Sequence, residues 1–274
     1  MKKLIVIFIF AAAVMVFLWG SNNWIQTTDY TVSSAELPAA FDGKRIVQVS
    51  DLHNATFGEN QESLIKKVED AKPDAIFITG DLIDSNRYDL DAALILIDAL
   101  VEMSEVYYVT GNHEVASNKI DEIGEALVER GVSYLENETV DWEVDGETVQ
   151  IAGVHDALIN PYYHDYDYTD MAITEAGLSN NFTLLLAHRP ELLDVYAENG
   201  IDVVFSGHAH GGQVQIPGIG GVFAPGQGWF PRMTEGVFQQ NDTQLVLSRG
   251  LGNSGFPFRI LNRPEVVSVT LKQE

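Results

Sequence analysis

An uncharged apolar run from Leu4 to Gly20 follows Met1-Lys2-Lys3 and gives way to polar residues at Ser21. Its length sits at the lower edge of the roughly 17–25 residues that cross a bilayer and exceeds the roughly 7–15 of a signal-peptide core. No small-x-small cleavage site follows it, since Ala11 to Ala13 lie inside the run. Residues 1–20 are therefore expected to form an uncleaved N-terminal membrane anchor, with a cleaved signal peptide as the alternative. The lysine pair would stay on the cytoplasmic side and place the rest of the chain outside, with Trp19 and Trp24 flanking the outer end of the span. Residues 21–42 read as a stalk.

From Gly43 onward, strand-like and helix-like blocks alternate. Lys44 to Ser50, Asp74 to Thr79 and Val106 to Thr110 read as buried strands, and Gln61 to Ala71, Asp89 to Met103 and Lys119 to Arg130 as helices. Such βαβαβ alternation predicts a mainly parallel sheet covered by helices. The second half is richer in strands: Asp141 to Val144 and Thr148 to Val154 form a hairpin through Asp145-Gly146. Thr183 to Ala187, Ile201 to Ser206, Gln244 to Ser248 and Val266 to Leu271 follow. No repeat, low-complexity tract or proline-rich linker divides the chain, so residues 43–274 are expected to be one α/β domain.

Composition narrows the function. Forty acidic against sixteen basic residues give a net charge of -24, which repels nucleic acid and offers no basic stripe for a phosphate backbone. The chain has no cysteine, which excludes disulfides and thiol catalysis. Any metal must then be held by carboxylate, amide and imidazole, a donor set suited to Mn, Fe, Zn, Co or Mg.

Such donors recur in a fixed order: Asp51-Leu-His53, Gly80-Asp81, Gly111-Asn112-His113-Glu114, His188, and Gly207-His208-Ala-His210. Each group follows a predicted strand, at the carboxyl edge where open α/β sheets bind ligands. Five of the seven histidines fall in these motifs, leaving His155 and His164 outside. Asp-x-His or Gly-Asp alone is commonplace. All of the motifs, in order and each after a strand, point to a two-metal hydrolytic centre, which needs roughly seven protein ligands with one bridging carboxylate.

This pattern resembles the calcineurin-like metallophosphoesterase superfamily over about residues 44 to 272. It looks closest to the bacterial membrane-tethered or exported subgroup, because Gly207 to Gln213, His188-Arg189-Pro190 and Ser248 to Pro264 are also similar to that subgroup. The resemblance implies a four-layer αββα sandwich with the N-terminal transmembrane segment added, and two divalent metal ions (Mn, Zn or Fe). It implies that Asp51, His53, Asp81 and His210 hold one ion and Asp81, Asn112, His188 and His208 the other, Asp81 bridging. Asn112 and His113 are the implied catalytic residues, His113 protonating the leaving oxygen or stabilising its charge. The implied reaction is hydrolysis of phosphodiester or pyrophosphate bonds by a metal-bridged hydroxide, on a phosphate-ester substrate that includes lipid-linked or nucleotide-sugar compounds such as UDP-2,3-diacylglucosamine. A nuclease of the same superfamily and a non-catalytic metal-bound surface protein are the alternatives.

Other residues are ambiguous. Glu114 reads as an orienter of His113 or an exposed cap, Asp84 as a loop brace, and His155 as a satisfied buried histidine or a support to the site. Arg189 and Arg249 read as structural or as phosphate clamps. Pro161 to Tyr168 is expected to be a solvated loop or the wall of a cleft. Ile216 to Met233, apolar and glycine-rich, is either a loop that meets a lipid or a buried crossover.

Overall fold

The computed structural model describes residues 1–253 and 255–274. The strands are β1 (Gln26–Ser34), β2 (Arg45–Val49), β3 (Ala75–Ile78), β4 (Glu105–Tyr108), β5 (Ser133–Tyr134), β6 (Glu138–Val144), β7 (Glu147–Gly153), β8 (Thr183–Leu186) and β9 (Val203–Ser206). Four two-residue strands follow, β10 (Gln215–Ile216), β11 (Gly220–Gly221), β12 (Phe223–Ala224) and β13 (Gly228–Trp229), then β14 (Gly236–Gln240), β15 (Thr243–Leu247) and β16 (Glu265–Gln273). One six-stranded sheet has the order β1-β16-β2-β3-β4-β5 and the other β14-β15-β9-β8-β7-β6. The helices are α1 (Lys2–Asn23), α2 (Glu62–Ala71), α3 (Leu90–Leu100), α4 (Asn112–Ser117), α5 (Ile120–Val128), α6 (Asp165–Ala176) and α7 (Leu193–Glu198).

Alternation along the strands builds the layers. In β3, Ala75 and Phe77 face the second sheet while Ile76 and Ile78 face the cluster formed with Leu64, Val68 and Leu94 of α2 and α3. Between the sheets, Phe77 meets Phe205 of β9 edge to face at 4.9 Å, within a cluster that includes Ile46, Val149, Leu184 and Val267. The outer face of the second sheet is closed by Tyr168, Ala172 and Ile173 of α6 and by Val195 and Tyr196 of α7. The result is the four-layer αββα sandwich. Both faces of the central strands are apolar, so period-2 alternation in the sequence carries no label for which face meets helix and which meets sheet.

Where the pattern is strongest, expectation and structure agree. Between β6 and β7, the predicted Asp145-Gly146 turn has φ of 49° and 85°, the left-handed pair that a two-residue hairpin requires. Elsewhere the reading needs correction. The segment 21–42 is not a stalk: α1 continues to Asn23, and Gln26–Ser34 runs parallel to β16 in unbroken register from Gln26 opposite Glu265 to Ser34 opposite Gln273. Its sequence QTTDYTVSS is polar because an edge strand buries little, only Val32 being buried within it, and its partner lies at the far end of the chain. The tract 161–168 is not wholly a loop, since α6 begins at Asp165 and Tyr168 packs into the core. Helix α7 and strand β14 were not anticipated; α7 is short and β14 half-exposed.

α1 is long and apolar enough to cross a membrane, with a mean hydropathy of 2.6.

Phe77→Ala should remove inter-sheet packing that no neighbour can refill, costing about 3–5 kcal/mol. Urea denaturation should show a lower midpoint with an unchanged slope.

Candidate metal centre

Five strands of the two sheets end at one edge and hand over to the motif residues. Asp51 and His53 follow β2, Asp81 follows β3, Asn112 opens α4 after β4, His188 follows β8, and His208 and His210 follow β9. Asp51, His53, Asp81, His208 and His210 all have positive φ, between 47° and 67°. Non-glycine residues avoid that region, and strain of this kind persists only where surroundings over-determine it. The loops are bound to one another accordingly. Asp51 N donates to Gly80 O at 3.0 Å, His53 N to Asp81 O at 3.0 Å, and His208 N to Asp51 Oδ1 at 2.9 Å.

The side chains converge in two groups that share Asp81: Asp51, His53, Asp81 and His210 in one, and Asp81, His188 and His208 in the other. Asp81 Oδ2 lies 3.4 Å from His53 Nε2 and 3.3 Å from His188 Nε2. In the first group, His53 Nε2 faces His210 Nε2 at 3.2 Å, and His210 Nε2 is 3.5 Å from Asp51 Oδ1. In the second, His188 Nε2 is 3.1 Å from His208 Nδ1 and 3.2 Å from Asn112 Oδ1. All seven residues predicted as ligands are thus together, and Asn112 places its amide oxygen on the second group.

The donors are chemically suited to divalent cations. His188 donates Nδ1–H to Thr79 O at 2.7 Å, which fixes the ring and leaves Nε2 facing the centre. Burial holds His53, His208 and His210 below the ordinary imidazole value, so they stay neutral with a lone pair available. Imidazole nitrogens meeting at 3.1–3.2 Å, ringed by buried carboxylates, are an arrangement that a cation between them satisfies. Without metal, one proton partly substitutes. Burial opposes charge on His188, yet Asp81, and beyond it Asp51 and Asp156, push its pKa up to about 10. Asp81 is buried too, yet the charge on His188 beside it holds its carboxyl well below the usual range.

Three supporting residues lay outside the sequence reading or were misread by it. Glu114 is fully buried; neither exposed nor bound to His113, it accepts N–H bonds from Asp81 (2.8 Å), Ile83 (3.1 Å) and Gly111 (2.7 Å), locking the post-β3 loop to the post-β4 loop. Burial, with Asp81 nearby, pushes its carboxyl up to about 7. Ser85 donates its backbone N–H to His113 Nδ1 at 3.1 Å, so in the neutral ring the hydrogen sits on Nε2. Among the described residues both oxygens of Glu191 are buried without a hydrogen-bond partner, and Oε1 lies 3.7 Å from His208 Nε2, while His208 Nδ1 faces His188. The Glu-at-third-position capping signal marked Glu114, but no local pattern marks Ser85 or Glu191.

The remaining candidates flank the seven converging side chains, and Asp84 lies beside His113 at 3.9 Å. Arg189 is held bidentately by Asp156 at 2.7 and 2.8 Å and by Asp165 at 2.7 Å. Arg249 pairs with Glu265 at 2.8 Å and Glu235 at 2.9 Å. Both guanidinium groups are engaged by carboxylates. His155 contacts Thr110 Oγ1 at 3.0 Å, behind the Gly111 loop. Asp84 braces its own loop through Asn86 N and Arg87. The stretch 216–233 is not a crossover between sheets: it forms two small hairpins with Ile219, Trp229 and Phe230 exposed.

A family model described as calcineurin-like phosphoesterase matches residues 44–212. The chain is 32% identical over 257 residues to YkuE of Bacillus subtilis strain 168, described as an uncharacterized metallophosphoesterase, covering 91% of this chain and 86% of that one. It is 28% identical to a Bos taurus protein described as a transmembrane protein with metallophosphoesterase domain, covering 89% of this chain and 56% of that one. Among solved structures, the fold is similar to phosphopantetheinyl hydrolase PptH from Mycobacterium tuberculosis, with a TM-score of 0.50 and 13% identity over 76% of this chain and 89% of that one. A dimetal phosphatase from Danio rerio is similar with a TM-score of 0.50 and 10% identity, covering 85% and 94%. At these identities the two structures speak for the fold alone.

A Cβ at Gly207 would collide with Ser50 Oγ and the Asp51 carboxylate. Gly207→Ala should therefore push Asp51 and His208 apart and lower metal content in purified protein; undiminished content would show that the edge is softer than its packing implies. The pH dependence follows from His188. Its folded value of about 10 exceeds the ordinary 6.5, so the stability its charge contributes to the metal-free fold is full below the lower value and lost as pH rises through the higher. A cation bound at Nε2 would displace that proton, so affinity should rise with pH up to about 10. Calorimetry in two buffers of different ionisation enthalpy near neutral pH should show release of about one proton from this site.

Proposed function

Since the chain belongs to the calcineurin-like phosphoesterase family and is a metal-dependent phosphoesterase, we propose how its centre works and on what. One divalent cation would be held by Asp51, His53, Asp81 and His210, and a second by Asp81, Asn112, His188 and His208. The observation that carries this assignment is the single Asp81 carboxylate shared by both side-chain groups. Two cations there supply Lewis acidity, acidifying water and neutralising phosphate oxygens.

The protein's own groups do the rest. His113 stacks edge-on against His53 at 4.4 Å. With Nδ1 accepting from Ser85, its Nε2–H is the hydrogen available to the substrate or to the leaving oxygen. The Asn112 amide ligates through oxygen and leaves its N–H₂ for a phosphate oxygen. His113 N donates to Asp81 Oδ1 at 2.8 Å, so the residue that faces substrate is held to the shared ligand through its own backbone.

The substrates we infer are phosphodiesters or pyrophosphates, in the class of lipid-linked or nucleotide-sugar compounds such as UDP-2,3-diacylglucosamine, hydrolysed outside the cytoplasm by an enzyme anchored through α1. The arginines flanking the centre, Arg87, Arg189 and Arg249, are all paired with carboxylates. Arg259 is fully buried and donates to the Arg249 and Gly252 carbonyls, so among the described residues a terminal phosphate dianion would meet no unpaired guanidinium at the surface there, which favours a singly charged diester. The net charge of -24 disfavours a nuclease.

The test is metal content and turnover of the full chain in detergent, on bis-p-nitrophenyl phosphate and p-nitrophenyl phosphate, with Mn, Zn, Fe and Mg added in turn. Diester cleavage should exceed monoester cleavage and vanish with chelator. His113→Ala should keep both metals and lose roughly 10²–10⁴-fold in kcat, whereas Asp81→Asn should lose metal. Equal metal loss in both variants would overturn the division of roles.

A further inference from the structure

α1 does not lead into the domain through a loose linker. Asn22, in its last turn, accepts hydrogen bonds on Oδ1 from Asn253 Nδ2 and Arg259 N, both at 2.9 Å. Just beyond the helix, Arg263 donates to the Trp24 and Ile25 carbonyls at 2.7 and 3.3 Å, and Ile25 is buried in the core. The helix thus leaves the domain in a fixed direction.

Two clefts run along it. One, of about 710 Å³, is walled by α1 from Ala12 to Trp24 on one side and by Leu261 and Arg263 on the other. The second, of about 450 Å³, is walled by α1 from Met15 to Asn23 and by Phe57, Pro257 and Phe258. Within residues 1–19, Ala12 and Leu18 are the two positions that are not exposed. At about 1.5 Å per residue, the first cleft follows the helix for roughly 18 Å from its outer end. A span as short as Leu4 to Gly20 must place its residues across the whole of a hydrocarbon layer about 30 Å thick. Side chains of the domain that flank α1 at this level are therefore at leaflet height.

Their chemistry matches that position. Phe256, Phe258 and Leu261 are 47%, 45% and 52% exposed, and beside them the β10–β11 hairpin, bridged to Ile260 through Val214, exposes Ile219 at 66%. In a chain with forty acidic residues, the stretches 203–234 and 243–264 contain none, while Arg232 and Arg263, neither of them buried, lie in them. An acid-free apolar face with cations at its rim suits a phospholipid leaflet and is out of keeping with the rest of this surface.

We propose that segment 255–261 and the β10–β11 hairpin form a second membrane contact, seated in the interfacial layer of the leaflet from which α1 emerges. It rests on the reading of α1 as a membrane span. The residues on either side of that segment also hold the candidate centre: Gly252 N donates to Asp51 O at 2.6 Å and Asn262 Nδ2 to His210 O at 2.8 Å. Seating it in the leaflet brings the centre to the height of lipid headgroup phosphates.

The chain has no cysteine, so single spin labels can be placed cleanly in the full-length protein, reconstituted in phosphatidylcholine–phosphatidylglycerol vesicles. Labels at Ile219→Cys, Phe258→Cys and Leu261→Cys would be compared with Val14→Cys in α1 and Asp145→Cys, at the strand ends opposite the centre. Accessibility to oxygen and to a water-soluble nickel chelate reports depth. The proposal expects the three test labels to be shielded from nickel several-fold relative to Asp145→Cys and to lie shallower than Val14→Cys. Nickel access equal to that of Asp145→Cys, with Val14→Cys still in lipid, overturns the second contact and leaves the span intact. An aqueous Val14→Cys overturns both.

Discussion

The carboxylate of Asp81 is the group around which the rest of the molecule is arranged. It is 1% exposed and sits between imidazoles carried by the two different sheets, while the buried acid Glu114 supports its backbone. Taking carboxylates out of water is costly unless positive charge is close. In the metal-free protein that charge is the imidazolium of His188, held by the Thr79 carbonyl behind it. Asp51, Asp81 and Glu114 are all buried around it, a concentration of carboxyl groups that divalent cations are suited to neutralise.

Holding such a cluster together demands rigidity from the sheets behind it. β2, β3 and β4 run parallel in one sheet and β8 and β9 in the other, so all five deliver their carboxyl ends to the same edge. The inter-sheet packing of Phe77 on Phe205 fixes the distance between the two halves. Five ligand candidates can then sit in left-handed backbone conformations because the cross-loop hydrogen bonds allow no relaxation. The same edge is tied through Gly252 and Asn262 to the segment that clamps the end of α1. Helix α1, clamp and centre form one connected body.

The residues that escaped the sequence reading share a physical feature. Ser85 acts through its backbone, Glu191 through a contact made across a loop, and Glu114 through three N–H groups donated by two separate loops. Identity and spacing report side-chain chemistry within a motif, but they do not report which distant backbone donor a side chain will meet. Arg189 and Arg249 show the converse. Their type suits phosphate, yet carboxylates remote in sequence had already neutralised them.

What the sequence determined by itself was the donor set, its order after successive strands, the strong strands and helices, and the apolar helix at the start. Those are local properties, set by residue type, periodicity and turn chemistry within a few positions. Only the tertiary structure decided that two sheets stack, since strands apolar on both faces do not say what covers either one. Only it decided that the supposed stalk includes the edge strand β1, whose partner β16 lies more than two hundred residues away, and that the end of α1 is clamped by Asn253, Arg259 and Arg263. Pairing and packing across such separations depend on which surfaces meet after the chain has closed, and no local pattern encodes that meeting.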